Sequence, residues 1–230
     1  HFKGHEATGF GGAIKNIGMG CGSRAGKMDQ HSAGKPTVKA SKCIGCRQCS
    51  KICAHGAFSF DEVREIELPS GKKREVHVAS IDHDRCVGCG RCIAVCNQDA
   101  IKPGYDAAVE VLNYKIAEYA KAVVDGRPSF HISIARDISP DCDCHEENDV
   151  PMVPDVGMFA SFDPVALDLA CIEAVNRQPI LPGSALAERG DPHDHDHLHA
   201  AHPDTCWQAA IEHGKKIGLG TDEYTLITVK

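Results

Sequence analysis

The sequence has no surplus of positive charge, no apolar run long enough to span a bilayer, and no signal peptide at its start. With 25 Lys and Arg against 32 Asp and Glu, its net charge of -7 gives no basic field to attract nucleic acid or an anionic membrane. A membrane helix would need about twenty consecutive apolar residues, and none occurs. Nucleotide motifs are missing too, although two are approached. A P-loop around Gly26-Lys27 would need Gly where Cys21 stands and Ser or Thr where Met28 stands. Gly20-x-Gly22-x-x-Ala25 imitates a dinucleotide fingerprint but follows no convincing strand.

What the chain does have is thirteen cysteines. Eight of them form two copies of one pattern, Cys43-Ile-Gly-Cys46-Arg-Gln-Cys49-Ser-Lys-Ile-Cys53 and Cys86-Val-Gly-Cys89-Gly-Arg-Cys92-Ile-Ala-Val-Cys96. The C-x2-C-x2-C-x3-C run is the one that bacterial ferredoxins use to hold [4Fe–4S] clusters. Three closely spaced thiolates on a tight turn can reach three corners of one cubane. The fourth, carried off on the next helical turn, completes the other cluster. This predicts one cluster on Cys43, Cys46, Cys49 and Cys96, and another on Cys86, Cys89, Cys92 and Cys53. Gly45, Gly88 and Gly90 suit loops whose backbone comes close to inorganic sulfide. A zinc ribbon is the rival reading, but its two C-x2-C pairs would leave two cysteines of each run unexplained. Cysteines kept for clusters imply a thiol-preserving compartment, most simply the cytoplasm. Ferredoxin runs commonly continue with proline, whereas this chain has Ala54 and Asn97. Each restores an N–H that could donate to cluster sulfur and raise the potential.

At 230 residues the chain can bury a substantial core in one domain or two. The pattern predicts an α/β domain interrupted by a ferredoxin-like (α+β) module with two [4Fe–4S] clusters. Residues 1–34 carry nine glycines, cannot form a long helix and read as a loop system within the α/β domain. Residues 35–104 form the cluster module, with a hairpin turning at Pro69-Ser70-Gly71 between the motifs. Residues 105–230 complete the α/β domain. Helical spacing runs from Ala108 to Val123 with Gly126 as the stop, and strands are expected at 130–134 and 156–159. Asp163 and Pro164 start another helix, one near 207–216 stops at Gly218, and 224–229 reads as a closing strand.

Five cysteines remain. Cys171 and Cys206 read as core thiols. Asp141-Cys142-Asp143-Cys144-His145 bunches soft ligands, and reads equally as a ligand set or an exposed acidic loop. His1, His5 and His31 share the glycine-rich stretch with Lys3 and Lys15, which could hold an anion. His1, His5, Cys21, Cys142 and Cys144 are thus candidates for a second site that takes a further metal ion or small ligand. In a structure Cys21 should then approach Cys142 or Cys144, or share a pocket with them. The tract from Asp191 to His202 reads as a mobile, solvated loop with opportunistic metal binding.

Several stretches together resemble one family. They are His1-Phe-Lys-Gly-His5-Glu, Gly9-Phe-Gly-Gly-Ala-Ile-Lys-Asn16, Asp137-Ile-Ser-Pro-Asp-Cys142-Asp-Cys144, Val153-Pro-Asp155 and Asp163-Pro-Val-Ala166. The family is the iron–sulfur-containing domain-of-unknown-function family 362, and the similarity runs along essentially the whole chain. It implies an α/β domain with an inserted ferredoxin module, and a His, Lys and Cys surface of unsettled function. It also implies a further segment upstream, or a separate partner chain, so that this sequence would be a processed, truncated or split version. The opening on His1 rather than methionine agrees with that expectation. The function expected is single-electron transfer to a redox protein partner. The alternatives are an oxidoreductase whose clusters feed the second site, or a protein that handles metal.

Overall fold

Glycine-rich though it is, the opening stretch takes up regular structure rather than the loop system its composition predicts. Strands β1 (Lys3–His5) and β2 (Gly9–Gly11) pair antiparallel, and helix α1 (Ala13–Gly18) follows. The glycines serve close approach. A Cβ on Gly4 would collide with the Pro140 carbonyl, and one on Gly12 with the Asp168 carboxylate. The computed structural model describes residues 1–31, 34–67, 71, 73–102, 104, 109–143, 150–189 and 194–229.

Next come helix α2 (Arg24–Gln30), strand β3 (Thr37–Val38), helix α3 (Gln48–Ile52) and the long strands β4 (Phe58–Glu67) and β5 (Lys73–Ile81). Helix α4 (Arg91–Ala94) and strand β6 (Ile101–Lys102) close this part. β4 and β5 form an antiparallel hairpin with a register irregularity between Ser59 and Glu62. Its expected turn at Pro69 and Ser70 lies outside the described residues, while Gly71 is left-handed. β3 pairs with β6 through Thr37–Lys102 and Val38–Ile101, which joins the two ends of this part. A small core of Val78, Ala79, Ala100 and Ile101 encloses Cys43, Cys49 and Cys92.

The remainder contains α5 (Val109–Val124), β7 (His131–Ala135), β8 (Gly157–Ser161), α6 (Pro164–Asn176), α7 (Ala185–Arg189), α8 (His197–Ala201) and α9 (Gln208–Lys216). α6 starts as its sequence predicts, with Asp163 Oδ1 accepting from Val165 N at 2.8 Å and Ala166 N at 3.0 Å. Gly126 and Gly218, both left-handed, follow the ends of α5 and α9. Phe2, Phe10, Ile14, Ile116, Ile138, Met152, Ile172 and Leu198 are fully buried in one core.

The protein is therefore mixed α/β, with two-stranded sheets among the described residues. It divides into two units, His1–Ser23 with Val109–Lys230, and Arg24–Ala108. The boundaries fall beside α2 and α5 rather than at 34/35 and 104/105, so α2 goes with the second unit. Two other expectations need correction. Residues 224–229 form no strand, but line a groove of about 1320 Å³ opposite β8. The histidine tract includes a packed helix, because Leu198, Ala200 and Ala201 bury one face of α8 in the core. His193 lies outside the described residues. Among those described, no helix is long and apolar enough to cross a membrane.

Candidate functional site

The two cysteine motifs repeat in backbone conformation as well as in spacing. Gly45 and Gly88, each just before the second cysteine of its run, have φ of 68° and 70°. One residue after that cysteine, Arg47 and Gly90 have φ of 61° and 69° and precede α3 and α4. Two left-handed residues per motif turn the chain tightly round the three clustered thiols. Arg47 adopts a conformation that L-residues avoid, and its guanidinium lies 4.8 Å from the centre of the Phe60 ring.

These turns bring the eight thiols to two concavities. One, of about 370 Å³, is lined by Cys43, Cys46, Cys49 and Cys96 with Val38, Phe60, Ala79 and Ile101. The other, of about 340 Å³, is lined by Cys86, Cys89, Cys92 and Cys53 with Ala57, Phe58 and Ile81. Each thus gathers three cysteines of one motif and the last cysteine of the other. Among the described residues no three His, Cys, Asp or Glu side chains converge as they would on one metal ion. Burial, assisted by neighbouring thiols, pushes Cys49 and Cys92 up to about 11. Thiolate formation at those positions needs a positively charged partner such as iron. Backbone N–H groups already point at other sulfurs, from Ala79 to Cys43 at 3.5 Å, Gly88 to Cys86 at 3.4 Å and Ala100 to Cys96 at 3.3 Å. Ala54 and Asn97 are exposed, and among the described residues neither N–H donates to a cysteine sulfur. The donors for tuning a bound cluster therefore stand elsewhere than the missing prolines suggested.

The second candidate set is partly assembled. β1 and its turn supply Lys3, His5 and Glu6, α1 supplies Lys15, and the loop after β7 supplies Cys142 and Asp143. Lys3, almost wholly buried, pairs with Asp143 Oδ2 at 2.6 Å, and His1 Nδ1 lies 3.1 Å from the same oxygen. Lys15 Nζ donates to Cys142 Sγ at 3.1 Å, and Glu6 accepts from Cys142 N at 3.2 Å. His5 Nδ1 accepts from Ala7 N and Thr8 N, so its proton sits on Nε2. Burial foremost, aided by Lys15, His202 and Lys3 against Glu6, lowers His5 to about 4. Cys21 stays apart in bonding: it is exposed, and its N–H donates to Ile17 O, with no hydrogen bond to Cys142 among the described residues. Cys144 and His145 lie outside the described residues, and His31 belongs to the other unit.

Asp168 has a role that no local pattern signals. Fully buried in α6, it accepts from Ala13 N at 2.6 Å and Ile14 N at 2.8 Å, and so caps α1 from another helix. Burial raises it to about 7, although both N–H donors pull the other way. Its apolar neighbours in α6 hide it, and only its charge within that run could have signalled the role. Cys171 is fully buried, as expected, and is pushed up to about 12 chiefly by burial. Cys206 is half-buried, and its carbonyl accepts from Asn113.

Comparison with known families finds a match over residues 1–173 to the family described as Domain of unknown function (DUF362). No curated protein matches the chain.

Proposed function

Because the chain belongs to the DUF362 family, whose description leaves activity open, we propose a function from its own residues. It is an iron–sulfur protein that passes single electrons through two [4Fe–4S] clusters. The observation that carries this reading is the lining of the two concavities. Each brings together four thiols in the crossed set that two-cluster ferredoxins use, and each is walled by apolar side chains. Once bound, such clusters exchange one electron at a time without proton transfer.

The chain's own contribution is binding and tuning. Cys43, Cys46, Cys49 and Cys96 hold one cluster, and Cys86, Cys89, Cys92 and Cys53 the other. Ala79, Gly88 and Ala100 direct N–H groups at ligand sulfurs, which favours the reduced state. Val38, Phe58, Phe60 and Ile81 limit water around them. Electrons would be exchanged with a redox protein partner in a thiol-preserving compartment. A second reading makes the protein an oxidoreductase or metal-handling protein in which the clusters serve the Lys3, His5, Lys15 and Cys142 group. The direct Lys15–Cys142 contact favours a chemical role for that group.

Anaerobic purification tests the first reading. A brown protein with about four iron and four sulfide per concavity is expected. A colourless protein that holds zinc would overturn it.

A further inference from the structure

The two cysteine motifs repeat each other, but the hairpin of β4 and β5 grips only the first with its arginines. Arg64 Nη2 donates to Ser41 O at 2.8 Å and Arg74 Nη2 to Ile44 O at 3.1 Å, so a guanidinium is fixed to the backbone on either side of Cys43. The strand register, Arg64 with Val76 and Ile66 with Arg74, puts both arginines on one face of the hairpin. Neither has a carboxylate partner among the described residues, and Arg64 Nε is buried without an acceptor. Exposed Glu62 shares their face, while Glu65 is taken by Lys73, and Lys42 and Lys102 share Asp99. The turn before the second motif is held from within instead. Asp82 Oδ1 accepts from Asp84 N and Arg85 N, and Cys86 N donates to Asp82 O. There Arg85, and Lys35 bonded to His83 O, are matched in number by Asp82 and Asp84. Arg47 lines the first concavity and Arg91 the second, so these two offset each other.

We infer that Arg64 and Arg74 give the first-motif site the higher reduction potential of the two, so that an electron from a single-electron donor protein comes to rest on the set Cys43, Cys46, Cys49 and Cys96. The inference rests on the two-cluster reading above. Reduction adds one negative charge, and positive charge nearby favours the state that carries it. The surplus of positive charge beside Cys43 therefore strengthens that site's hold on an electron, and the other motif has no equal of it. Exchange between the sites moves one electron, oxidising the second and reducing the first, with no bond or proton changing place. Cys46 is the one exposed thiol among the eight motif cysteines, and it belongs to the first set. The site where the electron rests is thus also the one that a redox partner can approach most closely.

Redox titration followed by EPR, on anaerobically purified full-length chain with iron and sulfide counted in every sample, tests this. Two one-electron steps are expected, about tenfold apart in reduced-to-oxidised ratio, which is about 59 mV. Arg64→Gln combined with Arg74→Gln removes both charges but keeps an N–H donor at each position. It should lower the upper potential by about that tenfold and leave the lower one in place. Arg64→Lys combined with Arg74→Lys keeps the charges and should keep both steps. If the double glutamine variant loses iron, each single variant is read instead, with a shift of about threefold expected. One shared potential in the wild type, a fall in the lower step, or unchanged potentials in the glutamine variants would overturn the inference while leaving the clusters standing. A chain that binds no iron would overturn the electron-transfer reading, and this inference with it.

Discussion

Gly45 and Gly90 share a left-handed backbone, but only one of them is also crowded. A Cβ at Gly45 would lie 2.9 Å from His77 O, while one at Gly90 would meet nothing within 4 Å. Gly90→Ala should therefore cost only the conformational term, about 1–2 kcal/mol, and Gly45→Ala more than that. Denaturant unfolding of the two variants under anaerobic conditions checks the order, and equal losses would contradict it. His5 gives a prediction in pH. Its folded value of about 4 lies below the ordinary 6.5, so between these limits the unfolded chain binds the proton and the folded chain does not. The stability it contributes is complete above pH 6.5 and is lost as pH falls toward 4. The difference amounts to about 3 kcal/mol at most. His5→Asn should flatten the fall in stability over that range. Wild-type and variant curves that stay parallel would show that His5 is not the group responsible. Asp168, raised to about 7, acts with opposite sign, since its stabilising effect declines as pH rises from about 4 toward 7. The wild-type curve alone therefore understates both effects.

At the scale of elements, legibility followed the distance over which a signal acts. Asp163 and Pro164 announced α6 because a cap and the helix it caps are adjacent in sequence. Asp168 caps α1 across 155 residues, and no local pattern reveals such a partner. Strands β7 and β8 were legible from short apolar runs. Residues 224–229 carry an equally strand-like run, but Leu226, Ile227 and Val229 are exposed, and among the described residues no backbone ladder pairs them. The histidine tract misled in the other direction: its composition is that of a solvated loop, yet Leu198 and two alanines suffice to anchor α8. In the candidate sites the contrast is the same. Thiol spacing is local and could be read directly, whereas the Lys15–Cys142 contact depends on the fold. Asp168→Ala should leave two N–H groups at the start of α1 without a partner and cost about 3 kcal/mol. Asp168→Asn, which keeps one acceptor, should cost less. Equal unfolding midpoints for Asp168→Ala and wild type would show that the cap carries no weight.

At the scale of the whole molecule, the two units differ in what holds them together. The unit of His1–Ser23 and Val109–Lys230 has a broad apolar core, while Arg24–Ala108 has a small one that includes three of the eight motif cysteines. Small metal-binding domains draw much of their folding energy from the metal. Iron chelation should accordingly expose Arg24–Ala108 to protease, with cleavage near Gly71, and leave the other unit protected. Equal resistance with and without iron would contradict this. The crossing of the fourth ligands is the most specific feature of the account, because each concavity borrows its last thiol from the other motif. Metal and sulfide analysis with EPR on Cys53→Ala tests it most directly. The account predicts loss or conversion of the cluster on Cys86, Cys89 and Cys92, with the signal of the cluster on Cys43, Cys46, Cys49 and Cys96 retained. Damage confined to the cluster on Cys43, Cys46 and Cys49 would contradict it.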